Sequence, residues 1–143
     1  WAETEDALGA PKVGLSEDLD DLAAYVASLQ ETPVSPFQSP EGGEEAFLSA
    51  GCADCHSPPL YTDSDAFNPI RHDIGTITDG SGMRRGGLLD GLDTPTLLGV
   101  HSTAPYLHDG SAATLLEAIE AHDGASSLPA STLESIAGFV RSL

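Results

Sequence analysis

The sequence predicts a mainly α fold with long irregular loops, and three observations carry that prediction. Amphipathic helical periodicity stands in a segment near each end of the chain, from Ser16 to Leu29 and from Thr132 to Leu143. Between them, from Ser57 to Leu92, the chain is rich in Gly, Asp, Ser and Pro and lacks clear periodicity. The only two cysteines fall together in Cys52-Ala53-Asp54-Cys55-His56, a spacing that one turn of helix presents on one side.

Each element has a local reason. Ser16 is placed to cap the first helix, Asp18 lies in its first turn, and Leu19, Leu22, Val26 and Leu29 recur at helical spacing. Residues 31–43 form a linker carrying Pro33, Pro36 and Pro40, whose fixed dihedrals and missing donors exclude regular structure. A short helix over 41–51, through Glu44, Glu45, Ala46, Phe47 and Leu48, leads into the cysteine motif. A further helix runs from Thr114 to His122, capped by Ser111 or Thr114 and stopped by Gly124. The last helix follows Pro129, with Leu133, Ile136, Val140 and Leu143 on one face. It aligns without a gap on the first: DLDDLAAYVASL (18–29) against TLESIAGFVRSL (132–143). The match suggests two closing helices of a repeated domain type, the first copy lacking its front half.

The formal charge is −18, from 23 acidic residues against five basic ones. That excludes a nucleic-acid or anionic-membrane surface on electrostatic grounds. It allows steering toward a basic redox partner, or an acidic surface suited to high salt. No apolar run approaches the roughly 20 residues needed to span a bilayer.

The cysteine motif is the attachment signature of a c-type haem. Each thiol can form a thioether with a vinyl group of the porphyrin, and the following His56 supplies an axial nitrogen from beneath the iron. A thioredoxin-like redox pair belongs at a strand-to-helix junction in a βαβ pattern, which this chain lacks. A zinc site could use Cys52, Cys55 and two of the five histidines, but zinc does not need the Cys-His juxtaposition.

Candidates for the far-side ligand are Met83, His72, His101, His108 and His122. Spacing alone does not choose among them. His122 has a mechanical advantage at the end of a helix, whereas Met83 sits among Gly80, Gly82, Gly86 and Gly87.

Three segments then resemble a known family: Thr94-Pro-Thr-Leu-Leu-Gly-Val100, Thr103-Ala-Pro-Tyr-Leu-His-Asp-Gly-Ser111 and Ala113-Thr-Leu-Leu-Glu-Ala-Ile119. Residues 41–143 are similar to the carboxy-terminal haem domain of bacterial di-haem cytochrome c peroxidases, whose relatives include tryptophan-modifying di-haem enzymes. The resemblance implies a class I-type cytochrome c domain with long loops around one covalent haem. In the family the far-side ligand follows the histidine of the HDG motif by fourteen positions, which from His108 falls on His122. The peroxidases usually have methionine there and the tryptophan-modifying relatives tyrosine. Histidine implies a bis-His, low-spin haem of lowered potential, with no open position for peroxide. His108 resembles the family residue that packs by the haem edge, and His72 and His101 are expected in loops or at that edge. Arg71, Arg84 and Arg85 are expected to supply donors to the haem propionates. The family's interdomain calcium would draw on Asp79, Asp90 and Asp93.

The expected organisation is therefore 1–30, the closing helix of a truncated or cleaved preceding cytochrome-like domain; 31–43, the linker; and 44–143, a cytochrome c domain with one haem. Two functions follow. The first is electron transfer to redox partner proteins or other haem domains, within a larger multihaem assembly. The second is service as one haem domain of a di-haem peroxidase whose peroxide-binding haem lies elsewhere. Since covalent haem attachment normally takes place outside the cytoplasm, the expected location is periplasmic or extracellular. A mature terminus or fragment is expected at Trp1.

Overall fold

Four helices form among the residues that the structure, a computed structural model, describes: 14, 16–29, 34–65, 67, 70–84 and 86–143. Pro33, Arg85 and the side chain of Arg84 lie outside the described residues. The chain divides into two units, Trp1–Thr32 and Pro33–Leu143. The first contains α1 (Glu17–Ser28). Ser16 is extended and its side-chain oxygen accepts from the Leu19 N–H at 3.4 Å, while Glu17, Asp18 and Asp20 put negative charge at the positive end of the helix dipole.

The second unit is organised by α2 (Gly43–Ser49) against α4 (Ala130–Ser142), with α3 (Leu115–Glu120) also packed on α4. Its core comprises Phe47, Ile136, Phe139 and Val140. The periodicity of α4 explains why: Leu133, Ile136 and Val140 recur at three and four residues, and Phe139 falls beside them. Three rings close the core, Phe47 lying 5.2 Å from Phe139 and 6.1 Å from Tyr61, with Tyr61 also 6.1 Å from Phe139. Those separations suit tilted and edge-to-face aromatic pairs. Gly43 permits the close helix approach. A Cβ there would lie 3.0 Å from Phe139 Cβ and 3.0 Å from the Ser135 carbonyl oxygen.

The stretch expected as a linker has no helix or strand over 34–42, but it is not a free tether. Pro40 fits against Gly43 and Gly138, where an added Cβ would meet its ring at 3.0 and 2.9 Å. Ser35 donates to the Arg141 carbonyl at 2.7 Å, and the Arg141 guanidinium lies 3.4 Å above the Phe37 ring. Gly43, expected in the linker, is the first residue of α2. The prolines forbid a helix there, but they do not forbid packing.

Helix α3 is shorter than the expected Thr114–His122. Thr114 caps it reciprocally with Glu117: its hydroxyl accepts from the Glu117 N–H at 3.2 Å, and its own N–H donates back at 3.0 Å. The helix ends at Glu120, so His122 stands just past it, ahead of the left-handed turn at Gly124. The long middle segment is held by point contacts. β1 (Met83–Arg84) pairs antiparallel with β2 (Gly87–Leu88), and isolated bridges join His72 to Leu92 and Tyr106 to Ala112. These pairings carry too few residues for a strand periodicity to register in the sequence. Among the described residues no helix is long and apolar enough to cross a membrane.

Candidate functional site

The cysteine motif occupies a tight turn, Cys52–Asp54, directly after α2. The His56 N–H bonds the Cys52 carbonyl at 2.9 Å, which places the imidazole one turn beyond the first cysteine. Burial pushes both thiols up, and the Cys55 thiol is pushed further by the Asp63 and Asp54 carboxylates. A reactive redox cysteine needs the opposite environment.

His56 Nδ1 lies 3.1 Å from the Tyr61 carbonyl oxygen. A carbonyl only accepts, so Nδ1 carries the hydrogen and the lone pair resides on Nε2. Burial holds the imidazole below its ordinary pKa, with the neighbouring His122 adding to the effect and the Tyr61 carbonyl opposing it. Tyr61 is placed by the core: its ring packs on Phe47 and Phe139 while its backbone takes a left-handed φ of +52°. A non-glycine residue held there at a site marks backbone strain that surrounding contacts sustain.

His122 has the same internal arrangement. Its Nδ1 lies 2.8 Å from the Ala118 carbonyl, one helical turn back, so its lone pair also resides on Nε2. The Asp123 N–H donates to the Ile74 carbonyl at 2.9 Å, which ties the His122 turn to the middle segment.

Two of the other candidate histidines have Nε2 bonded elsewhere. His72 Nε2 lies 2.7 Å from Asp63 Oδ2, and His108 Nε2 lies 3.0 Å from Ser81 Oγ, with the His108 residue exposed. His101 packs edge-on to Phe37, and its buried Nδ1 has no hydrogen-bond partner. Met83 is 69% exposed. Arg71 pairs with Asp90 at 3.6 Å with both side chains more than half exposed, the kind of contact worth little in water.

Among the described residues, one group of His, Cys and carboxylate side chains comes within metal-binding reach: Cys55, Asp63 and His72, within 4.8 Å of one another. Asp79, Asp90 and Asp93 do not gather into such a group, nor do Cys52, Cys55 and two histidines. Two thiols and an adjacent imidazole, with that imidazole's Nδ1 tied to a backbone carbonyl, are the chemistry that a covalent haem would need here. Asp63 and Tyr61 had no signal in the sequence, since nothing local distinguishes them from other loop residues.

No family model matches the chain. It is 28% identical over 124 positions to the cytochrome c551 peroxidase of Nitrosomonas europaea, a match covering 71% of this chain and 36% of the relative. It is 32% identical over 125 positions to the methylamine utilization protein MauG of Methylorubrum extorquens, covering 71% of this chain and 33% of that one. These likenesses support a cytochrome c peroxidase-like family. The chain spans about a third of the length of the curated relatives it matches. Among solved structures it resembles a chain of the Kuenenia stuttgartiensis hydrazine synthase pressurized with 20 bar xenon, with a TM-score of 0.59 and 25% identity over 87% of this chain and 55% of that chain.

Proposed function

We propose that the chain transfers single electrons through one covalent haem attached at Cys52 and Cys55 and ligated by His56 and His122. The observation that carries this reading is the matched pair of imidazoles. Each has Nδ1 tied to a backbone carbonyl, Tyr61 for His56 and Ala118 for His122, and each keeps the Nε2 lone pair for a metal. Anchoring the far nitrogen fixes both tautomer and ring orientation, as ligating histidines generally require. Bound there, the haem would supply a reversible one-electron change at its iron. The chain's own residues would hold such a group through His56 and His122, each imidazole being fixed by a backbone carbonyl.

A second reading comes from the peroxidase and MauG likenesses, in which this unit serves as one haem domain of a larger peroxidase-type enzyme. Under either reading the partners are redox proteins or other haem domains, and the location is periplasmic or extracellular. The acidic surface, at −18, favours a basic donor or acceptor.

The optical spectrum of the haem-loaded chain tests the ligation. A low-spin ferric spectrum without a methionine charge-transfer band is expected, and His122→Ala is expected to turn it high-spin or water-ligated. An unchanged spectrum in that variant would refute His122. Steady peroxide turnover by this chain alone would refute the electron-transfer reading.

A further inference from the structure

We propose that the Asp63 carboxylate is a fixed negative charge beside the haem that favours ferric iron and lowers the reduction potential of the site. The inference rests on the haem assignment above, but needs only the covalent attachment at Cys55, not the choice of far-side ligand.

The carboxylate is built into the fold. Its side chain keeps 16% of its exposure, and its oxygen lies within 4.8 Å of the Cys55 sulfur that would carry the porphyrin. Oδ2 is held by His72 Nε2 at 2.7 Å, and Oδ1 is enclosed with no hydrogen-bond partner. Both flanking residues are clamped to one segment: Thr62 donates to the Thr94 carbonyl at 2.6 Å, and Ser64 donates to Asp93 at 3.0 Å. His72 is fixed in turn by its two-way backbone bridge to Leu92, at 2.9 and 2.8 Å. The carboxylate is thus a positioned charge, not a rotating surface group.

It is also ionised and poorly compensated. The neighbouring Thr94 and then His72 hold its carboxyl below the ordinary carboxylate range. Among the described residues its ion-pair partner is His72, not a Lys or Arg. A nearby anion favours the more positive oxidation state of a metal, and partial burial limits screening by water and salt.

The test is a spectroelectrochemical titration of the haem-loaded chain at pH 9, well above the ordinary His pKa of about 6.5. Asp63→Asn keeps the shape and removes the charge. It is expected to change the ferric-to-ferrous ratio at a given potential on the order of tenfold toward ferrous, a rise of about 59 mV for one electron. Asp63→Glu is expected to stay near the parent value. His72→Lys leaves Asp63 in place but sets a permanent cation against it, and is expected to shift the potential in the same direction as Asp63→Asn. That second variant keeps the test decisive if Asp63→Asn does not take up haem. An unchanged or lowered potential in Asp63→Asn, or in His72→Lys where the first variant fails to load, would overturn the proposal. An unchanged spectrum in His122→Ala would remove the His122 assignment without touching the Asp63 result.

Discussion

Replacing Phe47 by alanine tests the link between the core and the Cys52–His56 turn. The ring is 1% exposed and packs against Phe139 at 5.2 Å and Tyr61 at 6.1 Å. Burying a Phe side chain contributes about 1.5–3 kcal/mol, and an aromatic pair adds about 0.5–1.5 kcal/mol beyond its area. With the cavity left behind, the expected loss is about 3–5 kcal/mol, a large part of the roughly 5–15 kcal/mol that stabilises a typical domain. Part of the effect should reach the site, because Tyr61 would lose a ring partner and its carbonyl holds His56 Nδ1 at 3.1 Å. The assay is guanidinium unfolding of the haem-loaded chain, followed by helix circular dichroism and by haem absorbance together. Both midpoints should fall together with little change in slope. Leu88→Ala, at a residue 75% exposed, serves as the control and should stay within about 0.5 kcal/mol. A loss below about 1 kcal/mol for Phe47→Ala would refute the claim that this ring closes the core.

Two other outcomes follow from single contacts. Thr114→Ala removes the reciprocal cap of α3 and should cost about 1 kcal/mol in the same unfolding assay; no loss would mean that the cap is dispensable. Asp63 has a depressed carboxyl, so its contribution to stability is present above the ordinary carboxylate value of about 3.9 and is lost as pH falls through its lower folded-state value. Asp63→Asn should therefore flatten the acid limb of the stability curve below about pH 4, as measured by unfolding midpoints from pH 6 to pH 2. Parallel curves in that window would count against the carboxylate's role.

The legible features were those whose cause is local. Ser16 caps the helix it was expected to cap, and Thr114 with Glu117 forms a reciprocal cap within one turn. The α4 pattern placed Ile136 and Val140 correctly in the core. Less visible were features made by contacts between distant segments. The packing of Pro40 on Gly138 and of Phe37 on Arg141 joins residues a hundred positions apart, so prolines that signalled a linker turned out to line a helix. The end of α3 before His122 likewise depended on how the chain turned toward Ala125, not on helix propensity.

The juxtaposition of Cys52, Cys55 and His56 was legible in the sequence, because two thiols and an imidazole at that spacing are brought together by local geometry along a single turn. The sequence by itself also determined the mainly helical character through periodicity and capping. Only the tertiary structure gave three of the four remaining histidines different hydrogen bonds: His72 and His108 have Nε2 bonded to Asp63 and Ser81, while His122 has Nδ1 bonded to the Ala118 carbonyl and stands within electrostatic reach of His56. It alone set Asp63 beside Cys55, since three loop segments far apart in the chain must meet before that carboxylate has a neighbourhood at all.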